Sequence, residues 1–422
     1  MLKMMNLLGL RRQIGIASSP NSEKDDVLLA LKLLISPASW FEGESQEQLQ
    51  KAFQTLFPET VALGFETGRA ALFCTLHELG ISEGDEVILQ AFTCVAVPDA
   101  IIWTGAKPVY VDVSEDFNMD PDQIAGKITK STKAIIVQHT FGYPAKIDLI
   151  QKIATQHKLV LIEDCAHSLG GLYQGRMLGS FGDISFFSFG QEKVISAVRG
   201  GMVVVKDQEL AEKLKSYQAE LPYPRKIAVW RSLLHPILWS IINPTYYLLL
   251  GKGLLFMAYR FGLTTFLLTK GELAGIKPAN FPAKLPNAQA KQALHQLKKA
   301  QKFNNRRSAI VNYYHQELTN VAGIKLPPLT NDPLLRFSIL INNPGGLRQF
   351  AKKWHVILGN WYSDVIYPHG SDLATSGYRV GSCPEAESLT TQVVNLPTSP
   401  TLNEKDVKRV IKVVKEFSRY ES

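Results

Sequence analysis

A chain of 422 residues, 45% apolar and 20% charged, is long enough to bury a large core and to hold a big domain beside a smaller one. No internal repeat or low-complexity tract is present, which excludes solenoid and tail-like architectures. The formal net charge of +8 is spread widely, and its one modest cluster (Lys298, Lys299, Lys302, Arg306, Arg307) reads as a solvated helix face, not a nucleic-acid site.

The N-terminal stretch 1–15 has too short an apolar run for a signal peptide and reads as an arm or docking segment, assigned to 1–24. Helical patterns are expected at 25–35 and 46–56, followed by a short strand at 61–65 and then T-G-R-A-A-L-F-C-T-L. Backbone N–H groups at a helix start form an anion site, and glycine lets an anion approach closely. The junction Thr67-Gly68-Arg69 is therefore a candidate anion turn, with an exposed, unliganded Arg69 as the alternative. Strands are expected at 86–90, 107–112 and 133–139, with a helix after Thr93 and an amphipathic crossover helix at 147–157. His139 ends its strand, placed either to reach a site or to pack as a structural histidine.

The stretch 159–201 carries the chemistry. An apolar run at 159–162 predicts a buried strand with Glu163 and Asp164 at its C-terminal end, where open α/β sheets place their ligands. A second strand, 183–187, leads to Ser188 and, after a glycine, to Lys193. A strand-end acid, a serine and a lysine in a glycine-flanked loop are the parts a pyridoxal 5'-phosphate site needs. The lysine amine forms an imine with the aldehyde, and the acid pairs with the protonated ring nitrogen. Asp164 is assigned to the ring nitrogen because strand alternation turns Glu163 to the other face. Lys193 is assigned both as leaving group and as the acid–base that moves the substrate proton.

Strands alternating with helices over 60–205 predict an α/β fold with a mostly parallel central sheet covered by helices on both faces. G-x-G-x-x-G and P-loop patterns are absent, so a Rossmann dehydrogenase or an NTPase fits poorly. The four cysteines (Cys74, Cys94, Cys165, Cys383) show no metal spacing and suit a reducing, cytoplasmic setting. No metal is expected.

Residues 221–280 form an apolar helical insertion, in which 232–251 contain no Asp, Glu, Lys or Arg. Three readings stay open for 228–268: a packed helical element, a peripheral contact at the inner face of a membrane flanked by Arg225, Lys226, Arg231 and Arg260, or a true span interrupted by Pro236 and Pro244. Residues 281–422 form a linking helix and a smaller C-terminal α/β domain. One long basic helix is expected at 287–318, short strands and helices at 335–341, 347–354 and 393–396, and a last amphipathic helix at 403–417.

E-D-C-A-H-S-L-G, then F-S-F-x-x-x-K, then G-G resembles the DegT/StrS sugar aminotransferases, a branch of the fold-type I pyridoxal-phosphate enzymes. The resemblance covers 25–220 and 285–418, including C-P-E-A-E near the end, and is strongest at 164–201. It implies that Asp164 binds the ring nitrogen, His167 contacts the ring, Ser188 binds phosphate and Lys193 holds the cofactor. Thr67 and Gly68 take the place of the family's phosphate turn, with Arg69 where many members have Thr. Cys94 stands where an aromatic ring usually lies against the cofactor, so the thiol packs there or Phe92 or another ring does the stacking. Pro282 and Lys284 stand where members carry an Asn and an Arg that reach a neighbouring subunit, Lys284 being a reduced substitute. The family's work implies transfer of an amino group, commonly from glutamate, onto a keto sugar attached to a nucleotide, by a homodimer. Lys193 argues against the related dehydrating branch, which carries His there. The competing class is an inactive protein of this fold serving as a membrane-associated sensor or assembly subunit.

Overall fold

The computed structural model describes residues 13–16, 21–246, 250–265 and 268–421. Its strands in chain order are β1 (Val61–Phe65), β2 (Glu86–Gln90), β3 (Thr93–Cys94), β4 (Lys107–Val111), β5 (Thr132–Gln138), β6 (Val160–Asp164), β7 (Leu172–Tyr173), β8 (Arg176–Met177), β9 (Ile184–Ser188) and β10 (Gly201–Val205). Then come β11 (Ile324–Lys325), β12 (Arg336–Ile341), β13 (Ile366–Tyr367) and β14 (Val393–Pro397). The main sheet has seven strands in the order β1-β10-β9-β6-β5-β2-β4. Only β10 runs against its neighbours; the rest of the sheet is parallel.

Strand alternation sends successive side chains to opposite faces, and both faces are filled. Ala134, Ile136, Leu63 and Phe65 pack on one side with helices Gly68–Glu78 and Gln208–Glu220. Ile135, Val137, Ala62 and Leu161 pack on the other with helices Ser45–Leu56 and Ile147–His157. Burial on both faces is why these strands read as near-continuous apolar runs. The α/β architecture is the one expected from the sequence. A smaller antiparallel sheet, β11-β12-β14, is covered by helices Pro344–Lys353 and Glu404–Glu421.

Ile14 is buried and bridges Val356, so the described part of the N-terminal arm docks on the C-terminal region; residues 1–12 and 17–20 lie outside the described residues. The expected single helix at 287–318 is two, Asn287–Leu297 and Ala300–Leu318. The break falls at Lys299, whose ammonium is held by Asp26 at 2.7 Å and Asp25 at 3.1 Å. The break thus coincides with a cluster of tertiary ion pairs that no local pattern shows. The solvated-face reading of the basic cluster is corrected at Arg307, which is 1% exposed and bonds Asn304, Asn21 and the Val194 carbonyl.

In the insertion, helix Lys226–Thr245 buries Val229 and Leu233 against Leu33, Trp40 and Ala288. Its first half is therefore a packed element. Helix Leu250–Arg260 follows and folds back on it. No described helix is long and apolar enough to cross a membrane, so the spanning reading has nothing to carry it among the described residues; 247–249, 266 and 267 lie outside them.

Candidate active site

The C-terminal ends of β6, β9 and β1 meet the start of β10 at one edge of the main sheet. Ser188 lies opposite Gly201, and Gly201 opposite Phe65, so the turns after β1 and β9 are brought against the G-G pair. Helix Gly68–Glu78 starts there, capped by Thr67, whose Oγ1 accepts from the Ala70 N–H at 3.0 Å. The approach is close: a Cβ on Gly201 would lie 2.4 Å from the Gly68 nitrogen, and one on Gly68 would lie 3.0 Å from the Ser188 Cβ. Glycine is needed at position 201 for packing of backbone on backbone. The result is a helix N-terminus beside a serine hydroxyl, a cradle for an anion. Gly201→Ala should force these turns apart. The expected outcome is weaker cofactor retention on dialysis and a stability loss of about 1–3 kcal/mol in denaturant titration.

Asp164 and Glu163 diverge as alternation requires. Glu163 faces a loop and accepts from the N–H groups of Gly179, Phe181 and Gly182 at 2.7–2.8 Å and from His139 Nε2 at 3.1 Å. Burial pushes its carboxyl up, but the His139 contact and the backbone donors outweigh it and hold it below its ordinary value. Asp164, 4% exposed, accepts from the Ala166 N–H through Oδ1 at 2.9 Å and takes no hydrogen bond on Oδ2 among the described residues. Burial raises its pKa, with the Ala166 N–H and the Lys193 ammonium pulling it back. A carboxylate in a buried residue with one oxygen left for a donor is what a protonated ring nitrogen requires.

Lys193 sits at the turn after β9. Burial pushes its ammonium below the ordinary lysine value, opposed by Cys94 and Asp164 and assisted by Arg336. Its loop is clamped from behind: Asn21 Nδ2 donates to the carbonyls of Lys193 (2.7 Å) and Val194 (3.0 Å), and Arg307 donates to Val194 at 3.0 Å. Lys193 Nζ lies 5.0 Å from the centre of the Trp361 ring, and His167 stacks on that indole at 5.3 Å. The His167 Nδ1 accepts from the Phe141 N–H at 3.2 Å, and burial, then Lys193 and Arg336, hold the ring well below its ordinary pKa. His167, its charge suppressed, lies between the Trp361 indole and the Phe141 ring, whose centre is 6.1 Å away.

Asp164, His167 and Cys94 thus each lie within electrostatic reach of Lys193, whose loop adjoins the Thr67, Gly68 and Ser188 cradle. Burial pushes the Cys94 thiol up, opposed by the Ala96 N–H and by Lys193. Phe92 is not the ring at the site: it is buried among Phe117, Phe141 and Tyr362. Arg69 is not turned to the anion cradle. Its guanidinium pairs with Glu272 at 2.5 Å and lies over Trp103, both side chains of the pair being almost wholly buried. His139 packs against Glu163 and the Ala145 N–H, the structural alternative. Lys284 bonds the Ala219 carbonyl at 2.7 Å and lies over Tyr223.

Sequence reasoning missed Trp361, Arg336, Glu192 and Asn21. Arg336 lies 3.5 Å above the Trp361 ring and pairs with Glu192, the residue before Lys193. The only local signal was the W-Y pair at 361–362, set between Asn360 and Ser363-Asp364.

The donor set fits pyridoxal phosphate: an anion cradle, a flat neutral imidazole, a waiting carboxylate oxygen and a lysine amine. That arrangement on a mostly parallel sheet belongs to the fold-type I pyridoxal-phosphate enzymes. Residues 21–222 and 266–415 match the DegT/DnrJ/EryC1/StrS aminotransferase family, and the chain belongs to it. Residues 223–265 fall outside the match. The chain is 37% identical over 206 residues to GDP-perosamine synthase of Escherichia coli O157:H7, an alignment covering 48% of this chain and 55% of that protein. It is 37% identical over 217 residues to a UDP-N-acetyl-3-dehydro-alpha-D-glucosamine 3-aminotransferase of Acidithiobacillus ferrooxidans, covering 51% and 57%. Each alignment therefore spans little more than half of the relative. Among solved structures, S. venezuelae DesV superposes with a TM-score of 0.72 at 27% identity, covering 93% of this chain and 94% of that one.

Proposed function

We propose that this aminotransferase moves an amino group from an amino acid, glutamate first among them, onto a keto sugar carried by a nucleotide, in the cytoplasm and as a homodimer. What carries the reading is the pairing of a buried carboxylate, Asp164, with a pKa-depressed amine, Lys193, beside one anion cradle. The two relatives named for nucleotide sugars support the substrate class.

Bound pyridoxal phosphate supplies an electron sink for the bond broken at the donor's α-carbon. Thr67, Gly68 and Ser188 would hold its phosphate through N–H and O–H groups. Asp164 would keep the ring nitrogen protonated, and the neutral His167 would lie flat against the ring without adding charge. Lys193, less basic than a solvated lysine, takes the α-proton from the donor and returns a proton on the acceptor side.

The test is a divided reaction. Glutamate alone should bleach the yellow band of the loaded protein and release 2-oxoglutarate; a nucleotide-linked keto sugar should then restore the band. Restoration by simple keto acids but by no keto sugar contradicts the acceptor class. Sedimentation at twice the 47.0 kDa chain mass is expected for the homodimer.

A further inference from the structure

The family match leaves out 223–265, and this same stretch carries a surface that the aminotransferase reaction does not use. In helix Leu250–Arg260, Gly251 and Ala258, seven apart, form the buried face. A Cβ on Gly251 would lie 2.5 Å from the Tyr246 nitrogen, so the helix is seated tightly on that side. The outward side, with Phe261 just past its end, carries large apolar side chains beside the exposed Lys252 and Arg260: Leu250 is 57% exposed, Phe256 67%, Met257 47%, Tyr259 52% and Phe261 62%. Large apolar side chains crowded this densely on one short helix mark a contact surface, not scattered surface residues.

Charge identifies what it contacts. From 221 to 271 the sequence has no Asp or Glu, while it carries Arg225, Lys226, Arg231, Lys252, Arg260 and Lys270. All but Arg231 are exposed. A second copy of the chain would set this cationic surface against itself, because a two-fold contact presents the same patch on both sides, and like charges there repel. An anionic lipid surface satisfies both features. Aromatic and aliphatic side chains enter the headgroup boundary while lysine and arginine meet the lipid phosphates.

We infer that the hairpin formed by helices Lys226–Thr245 and Leu250–Arg260 is a peripheral membrane-docking element selective for anionic lipid. The helix Leu250–Arg260 lies in the interface plane; the preceding helix ties it to the enzyme through Val229 and Leu233. The segment leading out of it reaches the catalytic loop, where Gln191 donates to the Thr265 carbonyl at 2.9 Å. Docking is thus linked by this hydrogen bond to the loop that carries Lys193. This inference does not depend on which acceptor the enzyme uses.

The test is flotation of the full chain, loaded with cofactor, on phosphatidylcholine vesicles with and without phosphatidylglycerol. Binding only to the anionic vesicles, weakened by salt, is expected. Phe256→Glu with Phe261→Glu, and separately Lys252→Glu with Arg260→Glu, should each weaken it by about tenfold or more. The yellow band and the melting temperature, which report the intact fold, should not change. Failure to bind anionic vesicles, or equal binding to neutral ones, overturns the inference. So does dissociation of a dimer by Phe256→Glu with Phe261→Glu, which would assign the face to a second copy.

Discussion

Lys193→Ala is expected to abolish the yellow band of the cofactor-loaded protein and to lower transamination by about 10³-fold or more, because one substitution removes both the covalent anchor and the proton carrier. Lys215→Ala, on the solvent side of helix Gln208–Glu220, should leave both unchanged. The amine also has a pH signature. Buried and only partly offset by Cys94 and Asp164, it loses its proton more readily than a solvated lysine. Capture of added cofactor by the unloaded chain should therefore rise with pH along a curve whose midpoint lies below the ordinary lysine value of about 10.4. A midpoint at or above that value would place the reacting amine in solvent.

Asp164→Asn is expected to have the next largest effect. The amide keeps the size of the side chain and can still accept from Ala166, but it carries no charge to hold a proton on the ring nitrogen. A carboxylate favours such a proton by roughly 1–3 pKa units, so the rate should fall by up to about 10³-fold. Cofactor should stay bound, because Lys193 and the Ser188 cradle remain. The measurement is the absorbance titration of wild type and variant with the substrate half-reaction followed in parallel. Glu163→Gln serves as the contrast. It weakens the loop at 179–182, not the ring contact, and should lower stability with no change in the spectrum of the bound cofactor.

The opposite fates of these two adjacent acids were legible in the sequence, because strand alternation depends on nothing beyond the chain's own geometry. The same holds for the main strands, whose apolar runs are bounded by turns, and for the turn of Thr67 and Gly68. What stayed hidden depends on residues far apart in the chain. Arg69 reads locally as an anion ligand, yet Glu272, near the far end of the insertion, captures it. Leaving either charge without the other in that buried site would cost about 3–5 kcal/mol, enough to override the local reading. Arg307 sits in a run of cations that looks solvated, yet Asn21 and the Val194 carbonyl draw it inward to brace the lysine loop. Trp361 reaches Lys193 because β13 pairs with β3, a register between segments that no local pattern encodes. Where Cys94 lacks a ring, the indole is the aromatic surface beside the amine.

All of these roles require one cofactor between Asp164 and Lys193. Borohydride reduction of the loaded protein, followed by peptide mapping, tests it most directly. A stoichiometric pyridoxyl label on Lys193, with Asp164→Asn labelled at the same residue but spectrally shifted, is the expected result. A label on any other lysine, or an Asp164→Asn spectrum identical to wild type, contradicts it.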